Sequence, residues 1–325
     1  MLTASKAPPL PRAFIWRKLH SLFGLWLAIF LIEHLLTNSQ AALLIGDSGH
    51  GFITYVNIIK NLPYLPVIEI TLLAVPIALH AIWGIQYILK GKANSGSSDG
   101  SKPSTKSFGR SHAYTWQRYT AWILLVGIVA HVGFMRFYLY PIVVHEGATS
   151  SYFVRVTSDT GLYTVASRLD IELYDQQKID HAQRSLRPVP EVTLPLTDEY
   201  SASEDRILSD EQDARFHHEW VDALTKRKVS DTQVIAVANN FGAATLLTVR
   251  DSFRNPITCA LYTIFVLAAV FHAYNGLWTF MISWGIVLRM RSQRKAVNMC
   301  IGIITVMAFL GLMAVWGTYY INLRT

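Results

Sequence analysis

Four histidines, His34, His80, His131 and His272, fall inside stretches that are otherwise almost wholly apolar. An ionisable side chain in such a setting is costly and marks a functional position. Each lies in a different apolar stretch, so four helices would each bring one imidazole to a shared interior. Helix bundles build cofactor sites from facing helices in this way. Imidazole is an axial ligand of haem iron, and two haems with two histidines each need this number. Glycines recur one helical turn away. Gly84 follows His80 by four residues, Gly276 follows His272 by four, and Gly127 precedes His131 by four. Residues four apart share a helix face, and a missing side chain there would let a flat macrocycle approach the backbone. Small residues also serve close helix packing in membranes, and any one histidine could simply pack between helices. His34 has no such glycine.

The elements that must carry these histidines are membrane spans. The chain has 325 residues, of which 51% are hydrophobic and 16% charged. Runs of about 20 apolar residues read as spanning helices. Five occur, roughly Phe14–Thr37, Val67–Leu89, Trp116–Tyr140, Ile257–Leu288 and Val297–Ile321. The first is too long for a signal-peptide core and has no small-residue cleavage site after it, so it reads as a retained span. Cys259 and Cys300 have neither the number nor the spacing of a disulfide framework or a metal knuckle. The expected fold is an all-α membrane protein of five transmembrane helices, four of them forming a haem-binding bundle, with a small α+β outer insert. The expected organisation is spans one to three in 1–145, the insert in 146–255 and spans four and five in 256–325.

Charge predicts the orientation. Lys6, Arg12, Arg17 and Lys18 precede span one. Lys90, Lys92, Lys102, Lys106, Arg110 and Arg118 lie between spans two and three, and Arg289, Arg291, Arg294 and Lys295 between spans four and five. The positive-inside rule puts all three groups, and the N-terminus, in the cytoplasm. Five spans then leave the C-terminus outside. The net charge of +7 follows from this topology and does not point to nucleic acid.

Depth then pairs the histidines. At about 1.5 Å per residue, His34, His131, His80 and His272 lie roughly 5, 15, 21 and 26 Å from the outer ends of their spans. His34 pairs with His131 near the outside, and His80 with His272 nearer the cytoplasm. A competing scheme uses His20 with His34 and His131 with His145, each fourteen apart. It fails because His20 and His131 differ in depth by about 15 Å, and His145 follows Pro141 out of the membrane.

The stretch from Glu146 to Arg254 is hydrophilic and holds 18 of the 22 acidic residues. Its start alternates as a hairpin turning at Asp159–Gly161. Residues 203–228 read as a helix, and Val234–Ala238 with Ala243–Val249 as a second strand pair. The His217-His218 pair reads as a solvated helix face and not as a metal site. Residues 93–109, rich in Ser, Gly and Lys, read as a flexible linker.

Several stretches carry a resemblance. These are Arg17-Lys18-Leu19-His20-Ser21-Leu22, Phe30-Leu31-Ile32-Glu33-His34-Leu35, His80-Ala81-Ile82-Trp83-Gly84, Gln117-Arg118 followed by His131-Val132, His272-Ala273-Tyr274-Asn275-Gly276-Leu277-Trp278, and Arg291-Ser292-Gln293-Arg294. Together they resemble the five-helix, two-haem cytochrome b subunit that anchors succinate:quinone oxidoreductases, the succinate dehydrogenases and fumarate reductases. The resemblance covers all five spans. It implies two haem b groups with the axial pairs that depth suggests, a quinone substrate of the menaquinone type, and residence in a bacterial cytoplasmic (inner) membrane. It also implies a flavoprotein subunit carrying FAD and an iron–sulfur subunit on the cytoplasmic face, against which Arg291 and Arg294 could dock. The acidic insert departs from the compact family pattern. His272 would be an axial ligand, Asn275 would hydrogen-bond a neighbouring helix or the haem edge, and Trp278 reads as a packing or interfacial aromatic. The chain has no Gly-rich dinucleotide loop and no iron–sulfur cysteine pattern, so it would not oxidise succinate alone. Glu69, two residues into span two and about 16 Å from His80 along the helix, is a candidate for proton transfer at a quinone site beside the outer haem, or an interfacial carboxylate favoured by the helix N-terminus. Two other readings stand beside this one: the cytochrome b subunit of a hydrogenase, formate dehydrogenase or nitrate reductase, and a non-redox transporter or scaffold.

Overall fold

The structure, a computed structural model, describes residues 11–42, 48–91, 109–189 and 202–324. In chain order the elements are α1 (Arg12–Ser39), α2 (His50–Lys60), α3 (Leu65–Lys90), α4 (Gly109–Tyr138), β1 (Ile142–Glu146), β2 (Thr149–Thr157), α5 (Thr160–Arg168), β3 (Glu172–Tyr174), α6 (Gln176–Arg184), α7 (Ala202–Thr225), β4 (Gln233–Ala238), α8 (Phe241–Ser252), α9 (Pro256–Ser283) and α10 (Met290–Leu323). The protein is an all-α membrane protein with a small β insert. Five helices, α1, α3, α4, α9 and α10, are long and apolar enough to cross a membrane. Their outward faces carry large apolar side chains such as Ile29, Ile70, Val126, Leu261 and Phe309, more than half exposed. That pattern suits lipid as the solvent. Apart from Gly109, the expected linker lies outside the described residues.

The chain clusters into two compact units. The first is drawn from Met1–Ser39, Asn61–His131 and Ala260–Val315. Here α1 packs against α3 and α10. Gly311 on α10 allows a close helix approach, since a side-chain carbon there would lie 2.5 Å from Val266 Cγ1 on α9. α3 opens with a wide π-helical turn at Glu69–Ala74, followed by Pro76. Proline has no N–H to offer the preceding turn, and the Leu72 carbonyl four residues earlier accepts the Trp26 indole N–H at 2.6 Å instead. An unsatisfied carbonyl in lipid would cost several kcal/mol. α9 ends at Ser283, five residues before the apolar run does. Gly285 adopts φ +72°, the left-handed turn that stops helices, and the Lys18 ammonium donates to the Ser283 carbonyl.

The second unit comprises Gln40–Lys60, Val132–Cys259 and Trp316–Thr325. Its antiparallel sheet has the order β1-β2-β4-β3. Phe153, Leu224, Ile235 and Val144 form its core, with Trp220 and Phe216 packed on it. Helix α7 matches the helix expected over 203–228. Two expectations fail. The hairpin expected to turn at Asp159–Gly161 is a strand followed by a helix, because Asp159 caps α5, its carboxylate accepting the Leu162 N–H at 2.7 Å. The strand expected at Ala243–Val249 is helix α8, capped by Asn240 accepting from Ala243 N at 2.8 Å. Nearly every residue from Gly242 to Arg250 is buried, so no one-sided periodicity remains to mark a helix. α8 packs on α2, and Gly242 is required there, since a side-chain carbon would sit 2.5 Å from the Ile53 carbonyl oxygen.

Candidate functional site

Within the first unit the four histidines meet in two pairs. His34 on α1 and His131 on α4 have ring centroids 5.8 Å apart and planes at 84°. His80 on α3 and His272 on α9 have centroids 6.3 Å apart and planes at 77°. A metal bonded to both rings of a pair holds each nitrogen at about 2 Å, which puts the ring centres roughly 6 Å apart. Both spacings fit. Among the described residues, no three His, Cys, Asp or Glu side chains group to hold a metal ion.

The Nδ1 atoms are engaged. His80 Nδ1 lies 3.0 Å from the His20 carbonyl, His131 Nδ1 3.0 Å from the Tyr262 hydroxyl, and His272 Nδ1 3.3 Å from Thr120 Oγ1. The Thr120 hydroxyl donates to the Trp116 and Gln117 carbonyls, so its oxygen is the acceptor for the histidine. His34 is steadied locally, where the Asn38 amide donates to the His34 carbonyl at 2.8 Å and lies 3.4 Å from Nδ1. A histidine whose Nδ1–H is donated in this way presents Nε2 as the ligand atom. Among the described residues none of the four Nε2 atoms has a hydrogen-bond partner.

A second layer ties α9 to α4. Asn275, 8% exposed, donates to Gln117 Oε1 at 3.2 Å, and Gln117 donates to the His272 carbonyl at 3.3 Å. The polar Asn275 inside an apolar helix is thereby accounted for. The glycines behave differently from one another. Gly276 opens on space, with nothing within 4 Å of an added carbon. Gly127 makes room for Phe265, whose Cδ2 would be 2.4 Å away, and Gly84 faces His20 Cε1 at 3.7 Å. Gly276 thus leaves open space beside its helix, while the other two glycines accommodate side chains.

His20, set aside as a ligand on depth, lies against the second pair. Its ring stacks on His80 with centroids 4.0 Å apart and planes 7° from parallel. Tyr262, Thr120 and His20 are the neighbours that spacing arguments missed. For His20 a signal existed, because the His-x-x-x-Gly of α3 (His80, Gly84) and α9 (His272, Gly276) recurs on α1 (His20, Gly24).

The other candidates are placed as follows. His145 lies on β1 with Nδ1 2.9 Å from Ser150 Oγ. His218 lies on α7 with Nε2 2.7 Å from the Arg187 carbonyl, and His217 is exposed. Glu69 opens the π-helical turn of α3 and is half-buried. Arg291 and Arg294 belong to the first turns of α10, not to a loop, and are exposed. Cys259 and Cys300 are buried, and among the described residues neither is in a disulfide.

The chain is similar to the succinate dehydrogenase cytochrome b558 subunit of Bacillus subtilis (strain 168). The two are 21% identical over 306 residues, which cover 94% of this chain and 96% of that protein. No protein-family model matches the chain, and no solved structure matches it.

Proposed function

We propose that the chain is a dihaem cytochrome b membrane subunit of a succinate:quinone oxidoreductase, passing electrons between an iron–sulfur subunit and a quinone. The observation that carries this reading is the two close imidazole pairs, with ring centroids 5.8 and 6.3 Å apart and Nδ1 engaged in three of the four rings. The similarity to a cytochrome b558 subunit over nearly the whole chain supports it.

Bound haem supplies one-electron exchange at its iron. The rest is the work of this chain's residues. His34 and His131 hold one group, and His80 and His272 the other. The Tyr262 hydroxyl, Thr120 hydroxyl and His20 carbonyl accept Nδ1–H, which fixes each tautomer and raises ligand basicity. The apolar spans exclude water. Asn275 and Gln117 keep α9 and α4 in register behind His272.

The same reading assigns succinate chemistry to an FAD-bearing flavoprotein subunit and an iron–sulfur subunit on the cytoplasmic side. Arg289, Arg291, Arg294 and Lys295 crowd the start of α10. A helix N-terminus disfavours cations, so an acidic partner surface there would relieve them. The N-terminus is assigned to the cytoplasm and the C-terminus to the outside of a bacterial inner membrane. Three chain regions, 1–145, 146–255 and 256–325, serve as spans, outer insert and spans. The quinone, of the menaquinone type, would exchange protons through Glu69. Quantitative pyridine haemochrome analysis of the purified complex should give about two haem b per chain, the number that two bis-histidine sites require. A reproducible value of zero or one would overturn the proposal.

A further inference from the structure

We infer that His20 is a positioning residue for the haem held by His80 and His272: its ring, stacked on His80, sets the plane of that ligand about the iron–nitrogen axis. The inference rests on the dihaem reading above.

Two helices meet here through a reciprocal arrangement. His20 and Gly24 are one turn apart on α1, and His80 and Gly84 one turn apart on α3. A side-chain carbon at Gly24 would lie 3.0 Å from His80 Cε1, and one at Gly84 would lie 3.7 Å from His20 Cε1. Each glycine therefore seats the other helix's imidazole, and the two rings lie face to face at 4.0 Å and 7°. Tyr87 also packs against His20, edge-on at 5.3 Å and 85°. His80 is thus confined by a ring on one face and a backbone against its edge, while the His20 carbonyl takes its Nδ1 at 3.0 Å. Rotating the His80 ring would break the stack and the hydrogen bond together.

His20 also has a buried Nδ1 with no hydrogen-bond partner. The stacking role uses the ring face of His20 and makes no demand on Nδ1. Its consequence falls on the iron. The angle between two axial imidazole planes governs the splitting of the ferric d orbitals and hence the anisotropy of the low-spin EPR signal. The near-perpendicular planes of His80 and His272, at 77°, are the setting His20 would hold. The His34–His131 pair, at 84°, has no stacked third imidazole among the described residues and serves as the internal control.

The test uses the purified holo-complex, with EPR and potentiometric titration of both haems. Tyr262→Phe removes the hydroxyl 3.0 Å from His131 Nδ1, and so identifies the signal of the control pair. His20→Leu removes the stacked ring but keeps the backbone carbonyl. It should shift the His80–His272 signal to lower anisotropy, move that haem's potential and leave the other signal in place. His20→Phe keeps a flat ring and should restore the original signal. Gly24→Ala should shift the same signal without touching His20. The inference is overturned if His20→Leu leaves that signal and potential unchanged, or if both signals move equally. It is also overturned if the haem is lost alike in His20→Leu and His20→Phe, which would make the imidazole itself essential. A wild-type complex without haem would instead overturn the dihaem reading.

Discussion

Replacing Tyr262 with Phe removes one oxygen atom and keeps the ring that packs edge-on against Phe265 at 6.1 Å. The lost atom lies 3.0 Å from His131 Nδ1, and under the proposed ligation through Nε2 it accepts the Nδ1–H. Two independent routes give the size of the effect. Removing an outer partner of a ligating histidine weakens metal affinity about 10–100-fold, or about 1.4–2.7 kcal/mol. Stranding a buried N–H without an acceptor costs about 1–3 kcal/mol. The agreement predicts a 10–100-fold weaker hold on one of the two haems, and retention of that haem against excess apomyoglobin, read from the difference spectrum, measures it. Thr120→Val makes the parallel change behind His272. There the bond is 3.3 Å, beyond the usual range for N–H···O, so its loss should weaken the second haem only about threefold. The reasoning fails if Tyr262→Phe changes retention less than about twofold, or if Thr120→Val is the more damaging of the two.

Trp26→Phe strands the Leu72 carbonyl and should destabilise the bundle by about 1–3 kcal/mol in detergent-titrated unfolding. Pro76→Ala in the same chain returns an N–H and should recover most of the loss, so a purely additive double mutant would refute the pairing. In the insert, burial pushes the Asp159 carboxyl up, but hydrogen bonds from Arg250 and the Leu162 N–H, with the charges of Arg250 and Arg254, outweigh it and hold the group below the usual carboxylate range. The folded value is the lower one, so this stability is complete above about pH 4 and is lost as the pH falls below that through the depressed value. Asp159→Ala at neutral pH leaves Arg250, 8% exposed, without its anion and should cost about 3–5 kcal/mol in thermal unfolding. The acid sensitivity below pH 4 should shrink in the variant, and an unchanged acid limb would refute the assignment. Arg291→Gln with Arg294→Gln should release soluble subunits at lower salt while the haem spectrum persists, whereas unaltered salt resistance would remove these residues from docking. Glu69→Gln should keep both haems and dye-linked activity but slow quinone turnover, and normal turnover across pH would leave Glu69 a structural residue only.

The parts of this chain that could be read from its order of residues are those where lipid imposes the choice. Apolar length marked the five spans, and histidines in lipid stood out because few residues there are ionisable. Span ends were less legible, because the membrane does not end them. α4 begins at Gly109, seven residues before the apolar run, and α9 stops at Gly285's turn within apolar sequence. The insert misled for a different reason. In α8 burial on all sides erases the periodicity that separates helix from strand, and the deciding residues are single caps, Asp159 and Asn240, whose side chains must be weighed against an alternation that looks stronger.

The site itself divides along the same line. Spacing and depth say which helix faces meet, since position along a helix converts directly into height. They say nothing about which ring nitrogen is engaged, because that depends on a neighbour from another helix at the same height. Tyr262 and Thr120 are ordinary membrane residues until a histidine is found 3.0 or 3.3 Å away. His20 is the intermediate case. Depth excluded it as a ligand in the fourteen-residue scheme, and the structure gives it a different place, on the ring of His80. The repeated His-x-x-x-Gly on α1 and α3 was visible throughout, but it acquires meaning only when the two helices are seen to cross with each glycine beneath the other's imidazole.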